Sequence, residues 1–238
     1  MEVDVKSPQI VMPGDRIPEA EELNKNKRKL VLGPGLTTCG TEIRATRAGI
    51  LQKKPPATFF VDTFQKRYVP IRGDHVIGIV IAKLGDFYRV DIGASEPASM
   101  SYLAFEGATK KNRPDVNVDD AIFGRLVVAN RDTEAEIVCV DSHGKKGKLG
   151  VLNNGFLFDV SINLVRKILR PDCPLMAALA KELKFQAVFG MNGKIWIHAN
   201  SQKETIAVGN AICAAEHLSN AEIVKMCDDI GQILAGFR

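Results

Sequence analysis

The sequence predicts a multidomain chain of β and α+β units, with two β-rich stretches followed by one in which helices take over. Three observations carry that expectation. Short apolar runs broken by Gly and Pro fill residues 1–150. In one of them, "DFYRVDI", apolar and polar residues alternate with period two, as in a strand buried on one face. From residue 156 the apolar spacing changes to three and four, the pattern of packed helices. At 238 residues the chain is comfortable for two or three small domains. The expected divisions are an N-terminal all-β unit over 1–66, a second β unit over 67–150 and an α+β domain with an extra C-terminal helix over 151–238.

Composition excludes several classes. Hydrophobic residues make up 45% and charged residues 25%, ordinary for a globular protein, and the net charge of +4 is too small to prove a polyanion partner. A modest excess still matters when it is gathered in a few loops. Residues 1–10 carry Glu2, Asp4 and Lys6 without an apolar core, so no secretory signal is expected. No run approaches the ~18 apolar residues of a membrane helix, and no membrane partner is expected. The five cysteines lack C-x-x-C spacing, which points to neither a zinc site nor a disulfide framework. Their odd number suits a reducing compartment, and no metal or other cofactor is expected.

Residues 1–65 hold the short β-like runs "QIVMPGDRI", "KLVLGPGL" and "ATFFVDTF". The polar "EAEELNKNKRK" between them lacks a convincing helical period and reads as a solvated loop. Residues 68–150 read as five strands: "HVIGIVIAKL", "DFYRVDIG", "SMSYLAF", then after a long polar loop "AIFGRLVVAN" and "EAEIVCVD". Alternation places Tyr88, Val90 and Ile92 inside and Phe87, Arg89 and Asp91 outside. Five short strands with a long connection after the third match a closed OB-fold barrel, in which closure removes the edges.

In the last stretch "FLFDV", "KFQAVF" and "KIWIHA" read as strands, and "SINLVRKIL" and "PLMAALAKEL" as helices separated by the prolines of "RPDCP". Two capping boxes, Ser201-x-x-Glu204 and Ser219-x-x-Glu222, open two further helices. In the last, Ile223, Cys227, Ile230 and Leu234 recur at helical spacing. The order strand, helix, helix, strand, strand, helix is that of a KH domain of the eukaryotic type. A functional KH domain carries its G-x-x-G clamp between the first two helices. Here that junction, "LRPDCP", has no glycine, and its Asp172 reads as a cap for the second helix. The tetrapeptide Gly190-Met191-Asn192-Gly193 lies instead between two strands. Asn-Gly there signals a tight hairpin, since both residues tolerate positive φ, and Asn192 and Gly193 are both expected in left-handed backbone conformations. Gly190, Asn192 and Gly193 are therefore read as a structural turn.

"FGMNGKIWI", with "RPDCP" upstream and "ICAAEHL" downstream, closely resembles the non-catalytic cap subunits of the eukaryotic RNA exosome, in the exosome component three (ribosomal RNA-processing protein forty) family. "DIGASEPASMSYLAFEGATKKNRP" and the N-terminal "VMPGD" resemble the same family. A sister cap subunit shares the domain order, and "GMNG" with "RPDC" favours the family given. The resemblance implies an N-terminal β-domain, an OB barrel of the ribosomal-protein-S-one type and a KH domain. It further implies a subunit that, with two sister caps, sits on a ring of six phosphorolytic-fold subunits and guides RNA to a separate ribonuclease. The work implied is 3′-to-5′ RNA processing and turnover, including ribosomal RNA, in nucleus, nucleolus and cytoplasm.

The residues themselves give no enzyme. Metal-dependent exonucleases need converging carboxylates. The adjacent pairs Asp119-Asp120 and Asp228-Asp229 instead mark a turn and a solvated helix face, and His75, His143, His198 and His217 lie far apart in the sequence. RNA binding is better supported. "GATKKNRP" gathers Lys110, Lys111 and Arg113 in one loop, where they offer sequence-independent phosphate contacts. Lys83 and Arg89 extend the track, and Phe87 offers a stacking face. The bland alternatives are a solvated loop for the lysines and burial for Phe87. "HGKKGKLG", with Lys145, Lys146 and Lys148, reads as a hinge between barrel and KH domain, and Trp196 as a core or interdomain contact. Two other functions stay open from the residues alone: a free-standing RNA-binding protein in translation or ribosome assembly, and a hydrolase with an unrecognised site.

Overall fold

The structure, a computed structural model, describes residues 9–25, 30–130, 133–141, 144–145 and 147–236. The chain divides into two compact units, Met1–Gln65 and Lys66–Arg238.

The first unit contains β1 (Ile10–Val11), α1 (Pro18–Lys25), β2 (Val31–Leu32), β3 (Leu36–Cys39), β4 (Glu42–Ala45), β5 (Gly49–Lys54) and β6 (Thr58–Asp62). A four-stranded sheet of order β1-β5-β6-β2 and the hairpin β3–β4 close on a small core of Val11, Ile17, Ala20, Ile43, Ala45, Phe59 and Val61. Helix α1 corrects the solvated-loop reading for Glu19–Lys25 of "EAEELNKNKRK"; residues 26–29 of that run lie outside the described residues. Pro18 suits the first helical position, and Glu19 and Glu21 put acids in the first turn, where the helix dipole favours them. Ala20 is buried, Leu23 packs beside it, and the Glu21 carboxylate accepts the Ile43 N–H at 3.2 Å. One carboxylate and two apolar contacts thus fix a helix too short to show a period.

The second unit begins with β7 (His75–Leu84), β8 (Phe87–Asp91), β9 (Ala98–Ser101), β10 (Ala121–Val128), β11 (Glu136–Val138) and β12 (Gly150–Leu152). The strand order is β11-β9-β8-β7-β10-β12, and the additional β10–β11 pairing closes five of these strands into a barrel. Tyr88, Val90 and Ile92 are buried in the barrel core with Val76, Met100 and Leu126, while Phe87 and Arg89 are exposed, as alternation predicts. After Ser101 the chain tightens into a 3-10 turn, Tyr102–Ala104, capped by the Ser101 hydroxyl. Strand β12 is an addition to the expected five, pairing Ala121 with Leu152. It also corrects the hinge reading of the second basic loop. That loop joins β11 to β12 within the barrel sheet; Lys145 and Lys148 are exposed, and His143 and Lys146 lie outside the described residues.

The rest is β13 (Phe156–Asp159), α2 (Ile162–Ile168), α3 (Leu175–Glu182), β14 (Phe185–Phe189), β15 (Lys194–Ala199), α4 (Gln202–Ala214) and α5 (Asn220–Gly236). The sheet order is β13-β15-β14, and Ile195 and Ile197 of β15 join Leu164, Leu179, Ile212 and Ile223 from the four helices in one core. Ser201 caps α4 by accepting the Glu204 N–H at 3.2 Å, and the Ser219 N–H donates to the Glu222 carboxylate at 2.8 Å ahead of α5. Ile223 and Cys227 are buried and Ile230 packs beside them; the Leu234 side chain lies outside the described residues. The capping role expected of Asp172 is not found: α3 starts after Pro174 with no side-chain cap bond. Proline there already presets a helical entry, and the Asp172 carbonyl instead accepts the Asn220 side-chain amide at 3.3 Å.

Candidate nucleic-acid interface

The tetrapeptide that resembles a clamp sits at the β14–β15 turn and is spent on the barrel. Gly190 N–H donates to Lys194 O at 2.8 Å and Gly193 N–H to Gly190 O at 3.1 Å, closing the hairpin. Gly193 has φ +86°, as a tight turn requires, whereas Asn192 is not in the left-handed region, which corrects the expectation for that residue. Its side chain is needed elsewhere. Asn192 is 9% exposed; its Nδ2 donates to Ile77 O and to Ile92 O, both at 2.8 Å, and its Oδ1 accepts from Ile77 N at 3.3 Å. Met191 N–H donates to His75 O at 2.8 Å, and the Met191 side chain packs against both the barrel core and the KH core. A Cβ on Gly190 would fall 2.9 Å from Ile77 N, so only glycine permits this approach. The amides a phosphate would need are thus occupied or buried against β7.

The barrel offers the other candidate surface. The β7–β8 hairpin turns at Gly85–Asp86 with register Leu84↔Phe87 and Lys83↔Tyr88. Phe87 leaves the turn 55% exposed, a free ring of the kind on which bases stack. Lys110 and Lys111 occupy the tip of the loop over residues 105–120. Thr109 N–H donates to Asn112 O and Asn112 N–H to Thr109 Oγ1, both at 3.0 Å, and this small closed turn leaves both lysines exposed.

The other predicted cations are engaged by the protein. Arg113 Nη1 donates to Gly85 O at 3.4 Å, its Nη2 to Asp86 Oδ1 at 3.3 Å, and its guanidinium carbon stands 4.7 Å from the centre of the Tyr102 ring. Lys83 Nζ donates to Asn117 Oδ1 at 3.1 Å, and Arg89 pairs loosely with Glu134 at 3.5 Å. Arg113 and Lys83 therefore gather around the same hairpin end as Phe87, while Arg89 is turned towards Glu134. Tyr102 and Asn117, which receive two of these cations, carried no sequence signal: one is an ordinary barrel aromatic, the other a loop amide.

Elsewhere the chemistry is structural. Asp119, at φ +71°, and Asp120, whose carboxylate accepts Asn117 N–H at 2.7 Å, form the turn into β10. Asp228 and Asp229 are exposed on α5. Trp196 is buried and would collide with a Cβ on Gly155. Among the described residues no group of three or more His, Cys, Asp or Glu is placed to hold a metal ion, and no helix is long and apolar enough to cross a membrane.

The barrel and the KH fold that follows it have known relatives. Family models match along the chain in order: "Mammalian exosome complex component RRP40, N-terminal" over residues 9–64, "Exosome complex component RRP40, S1 domain" over 68–150 and "KH domain" over 155–203. The Drosophila melanogaster exosome complex component RRP40 is 54% identical over 225 residues, covering 94% of this chain and 97% of its own length. The chain belongs to the RRP40 family of exosome complex components. The Homo sapiens RRP40 is 45% identical over 237 residues (89% of this chain, 86% of its own) and that of Saccharomyces cerevisiae 36% over 207 residues (83% and 84%). A crystal structure of a protein assigned to the exosome complex as RNA-binding shares the fold at TM-score 0.58 and 22% identity, over 70% of this chain and 98% of its own.

Proposed function

We propose that the chain is a non-catalytic, RNA-binding cap subunit of the RNA exosome. It would stabilise the ring of phosphorolytic-fold subunits beside the other caps and guide RNA into the central channel for 3′-to-5′ processing and degradation by a separate ribonuclease, in nucleus, nucleolus and cytoplasm. The observation that carries the reading is the near full-length match to exosome components named RRP40 in animals and yeast. The site is consistent with it. Exposed Lys110 and Lys111 with a free Phe87 ring suit a single-stranded backbone of any sequence, since phosphate contact and base stacking are both sequence-tolerant. With the KH turn committed to the barrel, that surface is small, as suits a subunit that contributes one wall of a shared channel.

The test is affinity purification of the tagged chain from its own cells, with RNA crosslinking and a nuclease assay on the isolated chain. Ring and cap subunits should co-purify in equal amounts, RNA should crosslink to the assembled complex at the 105–120 loop, and the isolated chain should leave RNA intact with magnesium, manganese or phosphate. Migration with ribosomal particles in place of a ring would overturn the assignment. So would RNA trimming that persists through every purification step.

A further inference from the structure

Counting charges makes Arg113 a third phosphate ligand beside Lys110 and Lys111. The geometry points elsewhere: we propose that Arg113 is a positioning residue, a latch that holds the 105–120 loop on the β7–β8 turn and so fixes where Lys110 and Lys111 stand. The inference rests on the proposed RNA-binding role of that loop. Three contacts converge on one planar group: the Gly85 carbonyl, the Asp86 carboxylate and the Tyr102 ring face. The receiving site is built into the barrel. Tyr102 is 5% exposed within the barrel core, and its N–H donates to the Asp86 backbone carbonyl at 3.2 Å, so the ring and the β7–β8 turn that carries Gly85 and Asp86 are held together independently of Arg113. The next residue is tied down as well, with Tyr88 Oη at 3.5 Å from Pro114 O. The Asp86 pair alone is too exposed to matter, at 53% and 65% side-chain exposure. It is the fork together with the stacked plane that makes a latch. Lysine, a point charge without a plane, cannot reproduce it. The tip between Thr109 and Asn112 is closed on itself, so tethering the loop at Arg113 orients both lysines at once.

The experiment measures binding of a labelled single-stranded oligoadenylate by the full chain across a salt series, for R113A, R113K, K110A/K111A and the triple variant R113A/K110A/K111A, with melting curves to establish folding. A latch predicts that R113K, though still cationic, loses as much affinity as R113A. It also predicts that R113A adds no loss on the K110A/K111A background. The slope of log affinity against log salt should become shallower by about 1.4 in K110A/K111A, at ~0.7 per single-strand phosphate contact, and by no more in the triple variant. Amide exchange at Asn112 should rise in R113A and R113K alike. Near-normal binding by R113K, or a further slope change of ~0.7 in the triple variant, would make Arg113 a phosphate ligand and overturn the latch. Normal binding by R113A beside weak binding by K110A/K111A would overturn it too, leaving the RNA role of the lysines intact. Normal binding by K110A/K111A would remove the RNA-facing role of the loop and the latch with it.

Discussion

Asn192 is one of the residues through which the barrel and the KH domain meet. A planar amide carries donor and acceptor at opposite corners, and here it satisfies both the N–H and the C=O of Ile77 together with the C=O of Ile92. Those backbone groups sit at a buried face, where a group left unpaired costs about 1–3 kcal/mol. Asn192→Ala should therefore destabilise the protein by a few kcal/mol and lower its melting temperature, while RNA affinity per folded molecule stays constant. Asn192→Asp should be as damaging or worse, because it replaces two donated bonds with a carboxylate facing two carbonyls. Normal melting with lost RNA binding would instead make the turn a phosphate clamp. The Asn-Gly pair gave the hairpin away in the sequence. The direction of the Asn192 side chain did not show there, since its partners lie 100 and 115 residues earlier.

Among elements, the legible ones repeat a pattern long enough to be read. The β8 alternation separates Phe87 and Arg89 from Tyr88 and Val90 without error, and the Ser-x-x-Glu boxes mark the starts of α4 and α5. Helix α1 and strand β12 escaped because each is fixed by a few tertiary contacts: Glu21 on the Ile43 amide for one, pairing across β10 for the other. A further contact of this kind joins two helices. Lys167 of α2 sends its ammonium to the C-cap of α4 and the turn beyond it, donating to Ala215 O and Leu218 O at 2.6 Å and to Glu216 O at 3.3 Å. Carbonyls at a helix C-terminus lack intrahelical partners and carry the negative end of the dipole, so a cation there is favourable. Lys167→Met keeps the apolar stem and removes the donors. It should cost roughly 1.5–3 kcal/mol, the range for bonds to a charged group, seen as a lower denaturation midpoint at unchanged m-value. An unchanged midpoint would show that water serves those carbonyls equally well.

At the scale of the whole molecule, the passage from β units to the KH domain was legible because the apolar period changes near residue 156 and capping boxes punctuate the helices that follow. The candidate RNA surface was legible only as charge. That Arg113 would meet Asp86 and Arg89 would meet Glu134 depends on residues 27 and 45 positions away, which no local pattern connects. The same blindness hid the union of barrel and KH domain, which rests on backbone groups of β7 and on Met191 packing into both cores. That union has a thermodynamic consequence. Neither core can open without stripping partners from the other: loss of the KH hairpin bares Ile77 and Ile92 backbone groups, and loss of β7 strands the Asn192 amide. A fragment spanning residues 66–238 should therefore unfold in one calorimetric transition, with calorimetric and van't Hoff enthalpies equal. Introducing Asn192→Ala into it should weaken the coupling, so that the transition broadens or divides while far-ultraviolet circular dichroism at low temperature stays unchanged. Two resolved transitions in the unsubstituted fragment would mean that the barrel and the KH domain fold independently and that the buried amide only positions them.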